Sequence, residues 1–231
     1  MSKKVNWKKV IFWVLMASLI ISIVYIVIQI IRAPAEHSPE HQYEKIKGDY
    51  FLMLLQCSLG VVVTLLPSLI KRKWSTKIPN YMYVLYFIFL FCAIILGEVT
   101  NFYFIIPYWD IILHTFSGAM LGALGLTLVT LMNDDENINI KLSPAFVALF
   151  AFCFAIGCGV IWEIYEYTVD TILELNMQKY ALESGELLVG REALNDTMED
   201  LIVDVIGAGV LSVIGYFELK KKKRDCTDDE N

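Results

Sequence analysis

Residues 144–169 read PAFVALFAFCFAIGCGVIWEIYEYTV. From Pro144 to Trp162 the chain runs 19 residues without a charge, and about 20 apolar residues are what a helix needs to cross a hydrocarbon core of roughly 30 Å. The segment then places Glu163, Glu166 and Asp170 on one helical face, since positions three and four apart lie above one another. A stretch long enough for lipid yet acidic along one stripe calls for a membrane around it and a polar partner or wet cavity for the stripe to face.

Five further stretches have comparable length and apolarity, near residues 10–31, 50–70, 79–97, 110–132 and 196–217. With 144–169 they predict an all-α polytopic membrane protein of six transmembrane helices. Composition agrees: the 231 residues are 57% hydrophobic and 19% charged, with mean hydropathy +0.56, above the roughly 45–50% apolar content of soluble domains. A closed barrel would instead show short alternating segments. Ala33-Pro34-Ala35 imitates a secretory cleavage site, but the apolar run before it exceeds the 7–15 residues of a signal, so the first run reads as a span.

Along the single membrane domain the predicted organisation is two N-terminal anchor spans over 10–70, a four-helix polar-site bundle over 79–217, and a disordered basic and acidic tail over 218–231. Basic residues set the orientation, because Lys and Arg in short loops stay on the cytoplasmic side. Of the 19, 14 flank the same ends of the spans, including Lys3, Lys4, Lys8, Lys9, Lys71, Arg72, Lys73 and Lys220 to Arg224. Both termini are therefore expected in the cytoplasm. Seventeen of the 25 acids fall on the opposite side, or in the half of a span nearest it. The basic residues form short flanks without a reading module, which excludes nucleic acid as a partner and favours membrane lipids.

The acids are not scattered. At 100° per residue, Asp110, His114 and Ser117 share an arc of about 60° on the fourth span. Glu163, Glu166 and Asp170 do so on the fifth, and Asp196, Asp200 and Asp204 descend the sixth at i, i+4 and i+8. Glu98 ends the third span at the same level. Asp110 and Asp196 also open spans, where a helix cap is the alternative role, and Glu98 and Asp170 can equally face interfacial water. His114, Glu163, Glu166, Asp200 and Asp204 lie deeper, where an ionisable group costs roughly 2.5–3.5 kcal/mol on insertion scales. Glycines at 118, 122, 125, 157, 159, 207 and 209 allow close helix approach in lipid.

One histidine among so many carboxylates, with no Lys or Arg on those faces, implies a bound cation or shared protons, because adjacent carboxylates cannot all ionise unaided. The metal ligand candidates are Glu98, Asp110, His114, Glu163, Glu166, Asp170, Asp196, Asp200 and Asp204. An oxygen-rich set with one imidazole suits Mg, Mn, Ca or Fe better than tetrahedral zinc. His114, Glu163 and Glu166 are the catalytic candidates. Ser117 lies three residues from His114, with no clear triad around it. His37 and His41, four apart in the first outer loop, read as solvated, since Pro39 between them opposes a regular helix. The five cysteines form no CxxC pair and read as small core residues.

Four motifs carry a resemblance: GEV at 97–99, YWDIILHTFSG at 108–118, WEIYEYTVD at 162–170 and DTMEDLIVDVIGA at 196–208. In this order they resemble the YjdF-like family of bacterial inner-membrane proteins, over roughly residues 80–217. The last motif is also similar, more weakly, to the final span of VanZ-like membrane proteins. The resemblance implies a multi-pass protein of the bacterial cytoplasmic membrane and brings no activity with it. From the site, three functions are open: a metal-dependent enzyme acting on a lipid or lipid-linked substrate at the outer leaflet, a cation or proton-coupled transporter, and a scaffold or partner subunit without catalysis.

Overall fold

The computed structural model describes residues 6–36, 44–74, 79–133 and 142–228, with side chains through 69 in the second of these stretches and through 225 in the last. His37 and His41 lie outside the described residues. The elements are α1 (Trp7–Arg32), α2 (Lys47–Trp74), α3 (Asn80–Leu90) continuing directly into a π-helical segment (Phe91–Val99), α4 (Phe102–Ile105), α5 (Trp109–Asn133), α6 (Pro144–Leu173) and α7 (Glu192–Asp228). Six helices, counting α3 with its π segment as one, are long and apolar enough to cross a membrane. Among the described residues the only β pairing is one antiparallel bridge, Ala181 with Leu187.

The chain divides into two compact units. The first comprises Met1–Asp110 and Glu166–Asp196, the second Ile111–Tyr165 and Thr197–Asn231. In the first, α1 buries Leu15, Leu19, Ser22 and Ile26, a stripe spaced by three and four residues. Against it pack Met53 and Cys57 of α2, Phe87 and Leu90 of α3, and Ile94 and Ile95 of the π segment. Gly60 lets this approach happen, because a Cβ there would meet Ile94 and Leu19 side chains. Span 3, grouped through Glu98 with spans 4 to 6 in the sequence reading, thus has apolar packing with spans 1 and 2. Trp13, Ile21, Val24 and Ile31 of α1 point away from this core and are exposed, as lipid-facing positions should be.

Local chemistry explains the ends and the irregularities. Asn6 caps α1 by accepting from the Lys9 amide, and Asp49 reaches back to the Ile46 amide before α2. Pro67 lies inside α2, and without an N–H it leaves the Val63 carbonyl unpaired within the helix. The Tyr86 hydroxyl, from α3, donates to that carbonyl at 2.9 Å.

The second unit is built on glycine. A Cβ at Gly118 would collide with the Asp204 backbone, at Gly207 with the Thr115 carbonyl, and at Gly125 with Ala151. Gly122 lies on Ala208, and Gly215 on Leu126. Gly157, by contrast, has open space beside it, so six of the seven glycines counted in the sequence meet a neighbour, Gly209 doing so against Phe152. Asn133 holds the α5–α6 connection through a reciprocal pair with the Leu142 backbone, and the Ser143 hydroxyl caps α6 at the Phe146 amide. Of the cysteines, Cys57 is a core residue as expected, whereas Cys153 is exposed.

One departure from the sequence reading concerns the end of α7. Helix α7 continues beyond 217 to Asp228, through a tail expected to be disordered. Lys and Arg are good helix formers, and no Gly or Pro stops them. The α6–α7 connector carries a short antiparallel hairpin.

Two predictions follow from this packing. Tyr86→Phe should cost about 1–3 kcal/mol by leaving the Val63 carbonyl without its donor, and Pro67→Ala should abolish most of that cost by restoring a helical N–H. Chemical unfolding in detergent micelles of the two single variants and the double variant checks it. Gly207→Ala should cost about 1–3 kcal/mol or more by overpacking backbone on backbone, whereas Gly157→Ala should be neutral or slightly stabilising in the same assay.

Candidate functional site

The polar centre of the second unit is assembled by the glycine contacts. Close approach of α5 and α7 brings Asp200 and Asp204 against His114. The imidazole Nε2 is 3.7 Å from Asp200 Oδ2, and Nδ1 is 3.6 Å from Asp204 Oδ2. The Ser117 hydroxyl donates to Asp204 Oδ1 at 3.1 Å and to the His114 carbonyl at 2.9 Å. Gly159 of α6 leaves room for the Asp204 carboxylate, which a Cβ at that position would strike. Glu163, one turn further along α6, adds its charge to the field at His114 together with both aspartates. Glu163, Asp200 and Asp204 are 5%, 3% and 3% exposed, whereas Glu199, off the stripe, is exposed.

Two chemical consequences follow. A serine triad would need the Ser117 hydroxyl to donate to the imidazole, but it donates to Asp204 and to backbone. The group of His114 with carboxylates is instead of the kind that holds a cation: ligand atoms of His114 and Asp200 lie within 4.8 Å of each other, and an imidazole flanked by carboxylates is typical of metal and acid–base centres. Asp110 offers a further carboxylate one turn before His114 on the same helix.

A separate polar network occupies the first unit, at the helix ends and connectors. Lys179 pairs with Asp110 at the start of α5 and with Asp196 near the start of α7, the latter at 3.4 Å, and lies 4.8 Å from the centre of the Tyr103 ring. Lys45 donates to Asn101 Oδ1 at 2.9 Å, and Asn101 Nδ2 donates to Glu183 at 2.7 Å. Glu98, at the end of the π segment, lies in the field of both Lys45 and Lys179. Asp170 accepts from the Met177 and Gln178 amides at 2.8 and 2.9 Å, so it closes the turn that follows α6. Glu166 is buried on α6 within this unit.

The hairpin formed by residues 180–188 is pinned by Leu182 to Glu186 and Leu188 to Tyr180 backbone bonds, and Asn176 makes a reciprocal pair with the Ala181 backbone. Burial, followed by the charges of Asp170 and Glu174, raises the Tyr180 phenol above its ordinary value, so it stays neutral at physiological pH.

Sequence reasoning missed Lys179, Lys45 and Asn101 as partners of the acids. They come from connectors without periodicity, and helical arcs register only residues on the spans. A signal lay in backbone strain, which a sequence does not display: Asn101, Tyr108, Glu174 and Lys179 all have positive φ, a conformation that costs a non-glycine residue of order 1–3 kcal/mol and clusters where surrounding contacts impose it. The π-helical stretch ending beside Glu98 was equally unforeseen, and such segments are frequent at functional sites.

The model of the predicted membrane protein family DUF2238 matches residues 9–221. The chain belongs to this family. The match covers all six spans, beyond the 80–217 region that carried the resemblance to YjdF-like proteins, and is consistent with that resemblance. A protein of Thermotoga maritima described as uncharacterised is 30% identical over 153 residues, 65% of this chain and 69% of the relative. No solved structure matches. As a DUF2238 member the chain is a multi-pass helical membrane protein, and the chemistry of its site has to be argued from its own residues.

If Lys179 serves to neutralise Asp110 and Asp196, Lys179→Met should lower stability by roughly 1–3 kcal/mol, as for a lost charged hydrogen bond. Adding Asp110→Asn should recover a substantial part. A double-mutant cycle by chemical unfolding in micelles reads the coupling, and a coupling near zero would mean the lysine is only solvated.

Proposed function

We propose that the protein is a divalent-cation-dependent membrane enzyme acting on a lipid or lipid-linked substrate. The observation that carries this reading is the bracketing of His114 by Asp200 and Asp204, with Glu163 in the same field. No Lys or Arg occurs in 111–133, 144–165 or 197–219, so within the second unit these carboxylates are neutralised by protons or by a bound cation. Two ligands about 2.1 Å from one ion sit a few ångströms apart, a spacing the imidazole and its aspartates already have. His114, through Nε2, and Asp200 would hold the ion, with Glu163 as a further carboxylate in the same field, while Asp204 on the Nδ1 side would fix the imidazole and is itself oriented by Ser117 and Gly159. An ion there supplies Lewis acidity and replaces the basic side chains that would otherwise hold an anionic head group. Of the protein's own groups, His114 is placed to take or give a proton, with Glu163 as the second acid–base group.

The rest of the second unit supports an end-located site over a conduit. Below Asp204 the helices close on one another at Gly122, Gly125 and Gly215, with Val129, Ala151, Ala155 and Ala208 buried and Ser212 the one buried polar residue among those described there, which favours an end-located site over transport. The basic flanks orient these carboxylates toward the extracytoplasmic leaflet of a bacterial cytoplasmic membrane, with both termini in the cytoplasm. At that depth the accessible substrates are lipids or lipid-linked molecules.

Elemental analysis of the detergent-purified protein beside Glu163→Gln, Asp204→Asn, His114→Ala and Glu199→Gln tests the proposal. Stoichiometric metal is expected in the wild type and in Glu199→Gln, with loss of most of it in the other three while each still elutes as folded protein. Wild-type protein that stays metal-free after reloading with Mg, Mn, Ca or Fe would sink the enzyme reading and shift it to proton carriage. Site variants that fail to fold would favour a scaffold.

A further inference from the structure

Between the end of α6 at Leu173 and the start of α7 at Glu192, the chain buries Leu175 and Met177 and then forms a hairpin that leaves Leu187 and Val189 exposed among the described residues. Val189 is 80% exposed and Leu187 64%. Successive strand residues alternate sides, so positions 187 and 189 share one face, the face that Ala181 occupies across the bridge. Flexibility does not explain this exposure. The turn after α6 is closed by the two amide bonds to Asp170, the strand pair is held by backbone bonds, and Asn101 ties Glu183 near the tip.

The polarity is graded along the hairpin. The tip, Glu183-Ser184-Gly185-Glu186, is polar, the more exposed apolar pair lies toward the base, and Leu182, beside the tip, is half-exposed. The exposed apolar side chains continue through the residues that flank the hairpin: Ile172 and Leu173 at the end of α6 and Leu194 at the start of α7. Both flanking helices are spans, and their outer faces at Ile161, Ile164 and Ile202 are exposed apolar surface of the kind lipid covers. The hairpin edge therefore continues the lipid-facing surface of the first unit's helix ends.

We propose that Leu187 and Val189 seat the hairpin base in the interfacial region of the bilayer, with the acidic tip left in water. The occupant is lipid and not a second copy of the chain, because two aliphatic side chains fall far short of the roughly 1,200–2,000 Å² that a stable protein interface buries. Shallow insertion of an apolar edge beside polar residues is how interfacial segments bind membranes. The acids at the tip oppose deeper entry and set its orientation. This inference rests on the membrane reading and stands whether or not the site binds a metal.

The test uses full-length protein reconstituted in phosphatidylcholine/phosphatidylglycerol vesicles, with Val189→Cys, Leu187→Cys and Glu186→Cys each labelled with an environment-sensitive fluorophore. Labelled unsubstituted protein is measured in parallel to subtract the native cysteines. At 187 and 189 the emission should shift to the blue and be quenched strongly by lipids spin-labelled near the head group, and weakly by aqueous iodide. At 186 the pattern should reverse. Water-like emission and iodide quenching at both 187 and 189 would overturn the proposal, as would blue-shifted emission insensitive to spin-labelled lipid, which would mean that protein covers the edge.

Discussion

Backbone contact between α5 and α7 is the constraint on which the second unit depends. Gly118 lies against the Asp204 backbone and Gly207 against the Thr115 carbonyl. In lipid, where burying apolar surface drives little association, such contacts bind helices through packing alone. They also have a chemical product. With the two backbones this close, Asp200 and Asp204 lie 3.7 and 3.6 Å from His114, and Gly159 of α6 admits the Asp204 carboxylate. The packing and the polar centre are one arrangement: any residue larger than glycine at these positions would separate the groups whose proximity gives them their chemistry.

The first unit solves a different problem, which is how to stabilise irregular backbone beside a membrane. Pro67 breaks the hydrogen-bond ladder of α2, and the Tyr86 hydroxyl repairs it. The π segment alters the end of the third span, and strained connectors at Asn101 and Lys179 are held by charged and amide partners. Backbone polar groups at membrane depth need such partners because no water is available to them. Lys179 illustrates the economy of the arrangement, since one ammonium joins the N-terminal parts of two helices through Asp110 and Asp196. Those two acids opened spans in the sequence, where a helix cap was the alternative role; the structure gives each an ion pair with Lys179 instead.

Much was legible from composition and period. Six apolar runs of sufficient length, the stripe of acids on α6 and α7, and the pairing of Asp110 with His114 on one helical face follow from 3.6-residue periodicity, which is a local property. The burial of Glu163, Asp200 and Asp204, and the exposure of Glu199 beside them, agree with that face. Partners arising from connectors were not legible: the hairpin, Lys179, Lys45 and Asn101 have no periodic signature, and the π segment has the same composition as an ordinary apolar helix.

By itself, therefore, the sequence determined that this chain has six helices long and apolar enough to cross a membrane and which face of the last three is polar, because hydrophobic length and helical period are set residue by residue. Only the tertiary structure decided which acids meet His114 and which meet Lys179, and that span 3 packs with the two N-terminal spans. Those outcomes depend on where a glycine lets two backbones touch, and on which connector side chain reaches a helix end, and both are fixed by distances between residues far apart in the chain.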